Sequence, residues 1–260
     1  MATALDRGLK ILENLAGAEH GRPLHEIADS LKIPRSAAHR LLAELVLGGY
    51  VHQTGELGNY VLSLKIVSVG LAHLEAMDLV SMSKPVLEQL AHETAELVRL
   101  AIVDGEDMVW VSRHQGVRSG LRYDPDSGRT VTLSCSATGF AWMAHIPEEE
   151  ALQKILRQGI APRAQYGPKA PQTIDEIRAE LRKTRLRGFA TATDTHVLGI
   201  ASVAAPVYVG KKVVGSLSVS GPTPRLPEMR LLEIAPRLLE ATKRITNMLD
   251  ASDGRMRIAN

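Results

Sequence analysis

The sequence predicts an α+β protein in two parts, and three observations lead to this prediction. The first stretch of about 60 residues repeats apolar side chains with the helical period, whereas residues 96–103 and 200–220 alternate as strands do. The chain has 260 residues, which is longer than one typical domain of about 100–200 residues. The single cysteine, Cys135, excludes an internal disulfide and a multi-cysteine metal site, so we expect a reducing, cytoplasmic location.

Residues 24–47 carry the most specific local pattern. Apolar residues at 24, 27, 28 and 31 line one face of a first helix, and Lys32-Ile33-Pro34 interrupts the pattern because the residue before a proline is pushed out of the α region. A second helical pattern, at 37, 38, 41, 42, 45 and 46, stops at Gly48-Gly49. Two short helices joined by a turn of about three residues form a helix-turn-helix unit.

The second of these helices has an exposed face suited to a DNA groove. That face carries Arg35, Ser36, His39 and Arg40, and no acidic residue occurs from Lys32 to Ala43. Residues 50–53 and 59–62, around a turn at 54–58, form a hairpin pattern where a winged helix-turn-helix has its wing. The pattern therefore predicts contacts with double-stranded DNA.

The charge balance leaves an alternative open. Residues 1–60 hold six lysines and arginines against seven acidic residues, so this part is not broadly basic. Two amphipathic helices with a proline turn also occur in domains that bind no nucleic acid. On these residues alone, a metabolite-binding sensor whose helix-turn-helix unit mediates protein contacts remains the second interpretation.

Longer segments of the chain resemble a known family. The stretches ALDRGLKILENLA, PLHEIADSLKIPRSAAHRLLAELVLGGYV and YVLSLKIVSVG resemble the DNA-binding part of the IclR family of bacterial transcriptional regulators. Further along, LSCSATGFAWMA, LRGFATATDTHVLGIASVAAPVY and VVGSLSVSGP are similar to the landmarks of its effector-binding part, in the same order. The resemblance covers nearly the whole chain.

The resemblance implies an organisation and a set of partners. It implies a winged helix-turn-helix domain over 1–62, a linker helix over 63–77 and a GAF/PAS-like effector-binding domain with an antiparallel sheet over 78–260. It implies operator DNA, a small-molecule effector of the class of carboxylic acids or related metabolites, and a homodimer or dimer of dimers. The residues that we expect to contact DNA are Arg7, Lys32, Arg35, Ser36, His39, Arg40 and His52.

Residues 4–15 predict a first helix with Leu5, Leu9, Leu12 and Leu15 on one face. Between the two parts, the stretch 63–76 carries an apolar stripe at Leu64, Val67, Leu71 and Leu74. The stripe fits either a surface helix of the second domain or the family's linker, which contributes to dimerisation; its place between the domains favours the linker.

In the second part, alternating residues predict strands at 96–103, 108–111, 130–133, 199–209 and 213–220. Helical patterns predict one helix that begins near Pro85, one over 137–146, and one from a capping box at Thr173 to Gly188. A last helix is predicted over 227–250, where Pro236 should kink or split it.

The residues favour no catalytic or cofactor chemistry. The sequence contains no phosphate-binding glycine loop, no His-Glu-x-x-His and no Cys-x-x-Cys, so we expect no cofactor. It has no apolar run of 18 residues that could span a membrane, and charged residues interrupt the apolar core that a signal peptide would need. We therefore expect no membrane association. Residues 124–128 superficially suggest a calcium loop, but they lack its later glutamate and glycine offset, so a turn is expected. Cys135 or a serine with His145 or His196 and Asp194 fits no nucleophile elbow, so we do not expect an enzyme.

A strand with alternating serines is the candidate effector surface. Ser216, Ser218 and Ser220 share one strand face; by pattern alone this face is as readily solvated as buried. The resemblance implies that Ser218 and Ser220, Asp194 and Ser202 line a pocket together with the start of the predicted helix over 137–146, at Ala137, Thr138, Gly139 and Met143. Free N–H groups at a helix start suit an oxyanion.

Two departures from the family pattern bear on the effector. Phe140 stands where many members have lysine, and Ser202 stands where the glyoxylate-type regulators have cysteine, so glyoxylate or pyruvate does not transfer to this chain. Phe140 and Trp142 suit an aromatic or longer ligand, although ordinary helix packing is the better explanation for each of them alone. Arg113, Arg118 and Arg122, in an expected loop, are further candidates to pair a ligand carboxylate.

Overall fold

The computed structural model describes residues 3–55, 58–125 and 128–252. The chain divides into two compact units, Met1–Leu74 and Glu75–Asn260. The bounds 1–62, 63–77 and 78–260 remain predictions, and the part of 78–260 beyond residue 252 lies outside the described residues.

The first unit contains four helices and a two-stranded sheet among its described residues: α1 (Ala4–Ala16), α2 (Leu24–Leu31), α3 (Arg35–Leu47), β1 (Val51–Gln53), β2 (Tyr60–Leu62) and α4 (Leu64–Glu75, which ends one residue beyond it). Its core joins Ile11, Leu15, Ile27, Leu42 and Tyr60. The predicted helix-turn-helix is confirmed, and β1 pairs antiparallel with β2 as the predicted wing. The wing tip at Glu56 and Leu57 lies outside the described residues.

The predicted inner face of α1 is partly wrong. Leu5 and Leu9 are 73% and 51% exposed, whereas Ile11 and Leu15 are buried. The helix carries two overlapping apolar stripes, and the unit packs the one that contains Ile11 and Leu15.

The second unit is an α+β domain around an antiparallel sheet, as predicted. Five strands pair in the order β4-β3-β7-β6-β5. Their bounds are β3 (Leu97–Asp104), β4 (Asp107–Gln115), β5 (Ala190–Thr193), β6 (Ile200–Val209) and β7 (Lys212–Pro222). The helices are α5 (Asp78–Thr94), α6 (Ala137–Met143), α7 (Glu148–Gln158), α8 (Ile174–Arg187) and α9 (Glu228–Ala251). Helices α5 and α9 contact each other and the sheet, while α6 contacts β5, β6, β7 and α8.

Several predicted elements of this unit need correction. Helix α5 begins at Asp78, so Pro85 lies inside it, and α9 runs through Pro236 without splitting. Both prolines are exposed, so water can reach the carbonyls that they leave without a helical partner. The predicted strand at 130–133 is wrong, because only Thr130 forms an isolated bridge with Val109. Helix α6 stops at Met143, not at residue 146, and helix α7 and strand β5 were not predicted.

The capping box at the start of α8 is confirmed. The Thr173 hydroxyl accepts from the backbone N–H of Glu176, the Glu176 carboxylate accepts in return, and Gly188 ends the helix with a φ of 78°. Among the described residues, no single helix is long and apolar enough to cross a membrane; only the pair α4 and α5, taken together across their break, meets a test of length and composition.

Candidate functional site

Helix α3 presents a polar, basic face at its start. Arg35, Ser36, His39 and Arg40 are all exposed, and His39 lies three residues after Ser36 and four after Arg35, so their side chains form one surface. The first turn holds no acidic residue. On the opposite side, Ala38, Leu41 and Leu42 are buried in the core of the unit. The packing therefore orients the predicted DNA-contacting side chains toward solvent.

The turn before α3 has an unusual backbone. Lys32 ends α2 in the left-handed conformation, with a φ of 52° and a ψ of 46°. The N–H of Ile33 donates to the Ala28 carbonyl at 3.0 Å, and the Ile33 side chain packs on the core. A left-handed conformation costs a non-glycine residue about 1–2 kcal/mol. The turn leaves the charged end of Lys32 exposed beside the start of α3.

The other two predicted DNA contacts differ in exposure. His52 is exposed on β1, opposite Val61 of the wing. Arg7 lies one turn before Ile11 on the packed side of α1 and is only partly exposed, and its Nε is buried without a hydrogen-bond partner among the described residues. A DNA contact by Arg7 or His52 stays a prediction.

Helix α4 is fastened to the end of α3. The Lys65 ammonium donates to the Gly48 carbonyl at 2.7 Å and lies 4.7 Å from the centre of the Tyr50 ring. The Ser63 hydroxyl donates to the Gly49 carbonyl. A cation at a helix C-terminus is stabilising, because the last carbonyls carry partial negative charge. The start of α4 is therefore held against the end of α3 by side-chain contacts.

Among the described residues, the second unit holds a polar cavity between one sheet face and the segments around residues 131–138 and 192–200. We call it the inner chamber; its volume is about 480 Å³, and it opens to solvent. Its polar lining consists of Arg99, Tyr123, Thr132, Ser136, Thr138, Thr195, His196, Ser202 and Ser220.

The inner chamber continues into a wider space, the outer cleft, of about 1150 Å³. The two share Arg99, Trp110, Tyr123, Thr132, His196 and Val197, so these residues form the neck between them. Beyond the neck, the outer cleft is lined by Pro125, Arg129, Thr130, Gln165 and Tyr166. Four rings, those of Trp110, Tyr123, Tyr166 and His196, therefore border the outer cleft.

Arg99 is the charged residue at this neck. It lies in the middle of β3 between buried apolar residues, and it is 6% exposed. Its guanidinium carbon is 3.6 Å from the centre of the Trp110 ring, which is a close cation–π contact. Burial lowers the pKa of Arg99 to about 10, so the side chain remains cationic at neutral pH. The alternation of residues along the chain did not predict Arg99 as a site residue, although a lone arginine inside an apolar strand is a visible signal.

Burial also shifts the pKa values of the titratable groups near Arg99. Burial, and secondly the charge of Arg99, lower the pKa of His196, which favours the neutral imidazole. Burial raises the pKa of the Tyr123 hydroxyl, so the phenol stays protonated. The His196 ring meets Tyr166 edge-on at 5.5 Å and lies 3.4 Å from the Thr132 hydroxyl. Arg99 thus stands beside the neutral side chains of His196 and Tyr123, and the charges of Arg113 and Asp124 also act on its pKa.

The structure brings four of the eight predicted effector residues to the inner chamber: Ala137, Thr138, Ser202 and Ser220. Ser202 and Ser220 are register partners on β6 and β7, so their hydroxyls share one sheet face. Ser218 lies on the same face opposite Arg99 of β3, but it is 1% exposed and does not line the chamber. Its Oγ is buried without a hydrogen-bond partner among the described residues.

The other three residues are placed elsewhere. Gly139 packs against the backbone of Leu133 so closely that a Cβ would lie 2.7 Å from its Cα, and the Gly139 N–H already donates to Ser136. Met143 belongs to the hydrophobic core, together with Phe140 and Trp142. The start of α6 therefore meets the chamber through Ala137 and Thr138. A ligand contact by Gly139, Met143, Asp194 or Ser218 stays an untested prediction.

Asp194 shapes a loop of the chamber wall. It has a φ of 56°, and its carboxylate accepts from the Gly199 N–H at 2.8 Å and from Lys169 at 3.2 Å. The hydrogen bond from Gly199 is the main cause that lowers the pKa of this carboxyl group. The bridged loop contains His196, which faces both cavities. Asp194 is therefore in a position to orient the wall without lining the chamber itself.

The segment 117–125 carries Tyr123 to the neck and is fastened by side chains. Gln115 donates to the Tyr123 carbonyl at 3.1 Å, and Arg113 pairs with Asp124 at 2.6 Å. Arg225 donates to the Leu121 carbonyl at 2.8 Å and forms a two-pronged ion pair with the buried Glu96, at 2.6 and 2.7 Å. These arginines serve the protein's own contacts.

The remaining predicted candidates do not line the chamber. Arg118 and Arg122 are exposed and line neither cavity, and Arg122 donates to the Arg118 carbonyl. Part of the 124–128 turn, at residues 126 and 127, lies outside the described residues. The only cysteine, Cys135, is fully buried, and burial raises the pKa of its thiol to about 12, which favours the unreactive thiol.

A winged helix-turn-helix followed by a sheet domain with a small-molecule cavity defines the class of two-domain transcriptional regulators. Comparison with known families narrows this class. The model of the bacterial transcriptional regulator IclR C-terminal domain matches residues 71–247, and that of the IclR helix-turn-helix domain matches residues 4–55. The chain therefore belongs to the IclR family of transcriptional regulators.

Individual relatives agree with this assignment. The chain is 29% identical over 245 residues to the transcriptional repressor IclR of Escherichia coli, covering 94% of this chain and 88% of that protein. Among solved structures, a putative transcriptional regulator from Rhodococcus has a TM-score of 0.82 at 23% identity, covering 96% and 99% of the two chains. An IclR homologue from Microbacterium hydrocarbonoxydans, complexed with 4-hydroxybenzoate, has a TM-score of 0.79 at 21% identity, covering 96% and 100%. These two likenesses show the shared fold.

Proposed function

We propose that this regulator binds operator DNA through the start of α3 and that a small organic acid in the inner chamber controls that binding. One observation carries the proposal of an acid: a buried arginine, Arg99, stands at the neck of a chamber lined by hydroxyl groups. A carboxylate gains most from a cation that water screens little. The relative that binds 4-hydroxybenzoate supports a carboxylic acid as ligand in this fold.

For DNA, the proposal assigns base contacts to Arg35 and Arg40, with Ser36 or His39 beside them. Their exposure on one helix face, with Lys32 at the preceding turn, supports this role. A helix of 13 residues is about 20 Å long at ~1.5 Å per residue and fits a major groove about 12 Å wide.

For assembly, the proposal is a homodimer, or a dimer of dimers, that uses the stripe on α4. Leu64, Val67 and Leu71 are 79%, 48% and 54% exposed, and α4 buries none of its residues within the described chain. Apolar side chains left open along one helix face are a common mark of association. Two copies would then read half-sites about 34 Å or a multiple of it apart.

The DNA half is tested by selecting duplexes from a random library and measuring fluorescence anisotropy on the enriched sequence. Arg35→Ala or Arg40→Ala should weaken binding by ~1–3 kcal/mol and relax the preference at one base pair. Glu44→Ala, at an exposed position further along the same helix, is the control. If both arginine variants bind the selected and a scrambled duplex as the wild type does, α3 is not the reading helix.

The effector half is tested by calorimetry with small carboxylic acids on two matched serine variants. Ser220→Ala removes a hydroxyl from the chamber wall and should weaken an acid about tenfold or more, since a hydrogen bond to a charged ligand contributes about 1.5–3 kcal/mol. Ser216→Ala removes a hydroxyl of the same strand that lines neither cavity and donates to the Ala205 carbonyl, so it should leave the affinity close to that of the wild type. Equal effects of the two substitutions would contradict the assignment of the chamber.

A further inference from the structure

The shape of the cavity and its lining restrict the ligand further than the organic acid proposed above, on which this step rests. We infer that the effector is an aromatic carboxylate that spans the neck, with its carboxylate in the inner chamber against Arg99 and its ring in the outer cleft. The residues of the inner chamber suit the carboxylate, and those of the outer cleft suit the ring.

The inner chamber has the groups that a carboxylate requires. Arg99 stands opposite Ser218 in the pairing of β3 with β7, so Ser220 is the diagonal neighbour of Arg99 on the same face, and Ser202 is the direct partner of Ser220. Diagonal neighbours are about 7–8 Å apart, a span that a long arginine side chain and a carboxylate can bridge together. A guanidinium has five N–H donors, so Arg99 can bind a carboxylate and keep its other contacts.

The outer cleft offers a weaker site for the same charge. Its own arginine, Arg129, is exposed, whereas Arg99 is buried at the neck. Water and salt screen an exposed pair much more than a buried one. The carboxylate therefore belongs on the inner side of the neck, and the body of the ligand extends outward, where the cavity widens from about 480 to about 1150 Å³.

The walls of the outer cleft favour a flat ring. Trp110 and Tyr123 border the neck together with His196, and Tyr166 lies on the far side of His196. Aromatic faces and edges attract another ring in offset or edge-on geometry, beyond the simple burial of apolar area. Trp110 is already held by Arg99, so the ligand meets a prepared surface.

The test compares four probes by titration calorimetry on the full chain: benzoate, cyclohexanecarboxylate, benzamide and glyoxylate. Benzoate should bind about tenfold or more tightly than benzamide, which has the ring without the charge. It should bind roughly threefold to tenfold more tightly than cyclohexanecarboxylate, which has the charge without the aromatic ring. Glyoxylate, which lacks the ring, should be the weakest acid.

Two variants assign the carboxylate to its residue. Arg99→Gln should remove most of the preference for benzoate over benzamide, whereas Arg182→Gln, which changes an exposed arginine of α8, should retain it. Arg99→Lys keeps the charge without the fork of donors, so it should retain part of the preference if Arg99→Gln does not fold.

A spectroscopic readout locates the ring. The chain has two tryptophans, so Trp142→Phe leaves Trp110 as the only one. Benzoate should then change the emission of Trp110, and glyoxylate should change it less. The wild-type calorimetry stands independently if this variant of a core residue does not fold.

The possible outcomes distinguish a failure of the aromatic class of ligand from a failure of the organic-acid proposal. If glyoxylate binds more tightly than benzoate, the organic-acid proposal stands and the aromatic class is wrong. If benzamide equals benzoate, or Arg99→Gln leaves their ratio unchanged, Arg99 does not bind the carboxylate. If none of the three acids binds, both the aromatic class and the acid proposal fail, while operator binding is decided by its own measurement.

Discussion

The ion pair between Glu96 and Arg225 should be a major contributor to the stability of the second unit. The Glu96 side chain is only 4% exposed, and Arg225 holds both of its oxygens at 2.6 and 2.7 Å. Arg225→Ala would leave the Glu96 carboxylate buried without its cationic partner. The carboxylate is tightly enclosed, because a Cβ on Gly221 would lie 2.3 Å from one of its oxygens. Relief by movement of the glutamate is therefore restricted.

The expected loss in the free energy of unfolding follows from the exposed fractions of the Glu96 and Arg225 side chains. Removing one partner of a buried ion pair costs about 3–5 kcal/mol, but Arg225 is 36% exposed and water screens part of the interaction, so we expect about 2–3 kcal/mol. For a unit of this size, ~1 kcal/mol shifts the melting temperature by roughly 2–4 °C, so the variant should melt about 4–12 °C lower. Because Arg225 also holds the Leu121 carbonyl, benzoate should bind the variant more weakly.

Urea unfolding with a double-mutant cycle measures the coupling. Arg225→Ala combined with Glu96→Gln should cost less than the sum of the two single substitutions by about 1–3 kcal/mol. Arg230→Ala breaks an exposed pair with Glu233 and should cost no more than about 0.5 kcal/mol. The reasoning is refuted if Arg225→Ala destabilises the protein no more than Arg230→Ala does.

Three further predictions concern packing, assembly and pH. Gly139→Ala should destabilise the protein by about 1–3 kcal/mol, because its Cβ would lie 2.7 Å from backbone, whereas Gly70→Ala, with nothing within 4 Å, should be neutral or stabilising by up to ~1 kcal/mol in thermal melts. Leu71→Glu should shift sedimentation toward the monomer and weaken operator binding, and the control Ala72→Glu should do so less; an unchanged profile at low micromolar concentration would indicate that the stripe packs within its own chain. Because burial lowers the pKa of His196 below 6.5, the stability that it contributes is present above that pH and is lost on acidification, so urea unfolding of His196→Gln should show a smaller loss between about pH 7 and 5. An equal loss in this variant would show that other groups dominate the acid response.

The helical parts of the first unit were predictable because their signal is local. Helices α2 and α3 follow from the spacing of apolar residues and from Pro34, all within one short stretch of sequence. The inner face of α1 was less predictable, since the choice between its two stripes depends on the partner helices. The strand β5 has four residues at the edge of the sheet, which is too short for a periodic signal.

The candidate site was predictable only in part, because long-range pairing assembles it. Alternation placed the three serines of β7 on one face, but which of them reaches the chamber depends on α6 and on Arg99 of β3. The pairing of Glu96 with Arg225 joins residues 129 positions apart, and no local pattern indicates it. Arg99 carried a local signal, a charge within an apolar strand, that alternation alone could not interpret.

The central claim is that an acid in the chamber and operator DNA on α3 influence each other's binding, and a reciprocal titration tests it most directly. The affinity of the selected operator is measured with and without saturating benzoate, and the affinity of benzoate is measured with and without saturating operator. Linkage requires the two ratios to be equal, and typical regulators show about 5–150-fold. Arg99→Gln should bring both ratios close to one while leaving operator affinity without benzoate unchanged. Operator binding that is the same with and without benzoate, in a protein that binds benzoate, would contradict the account.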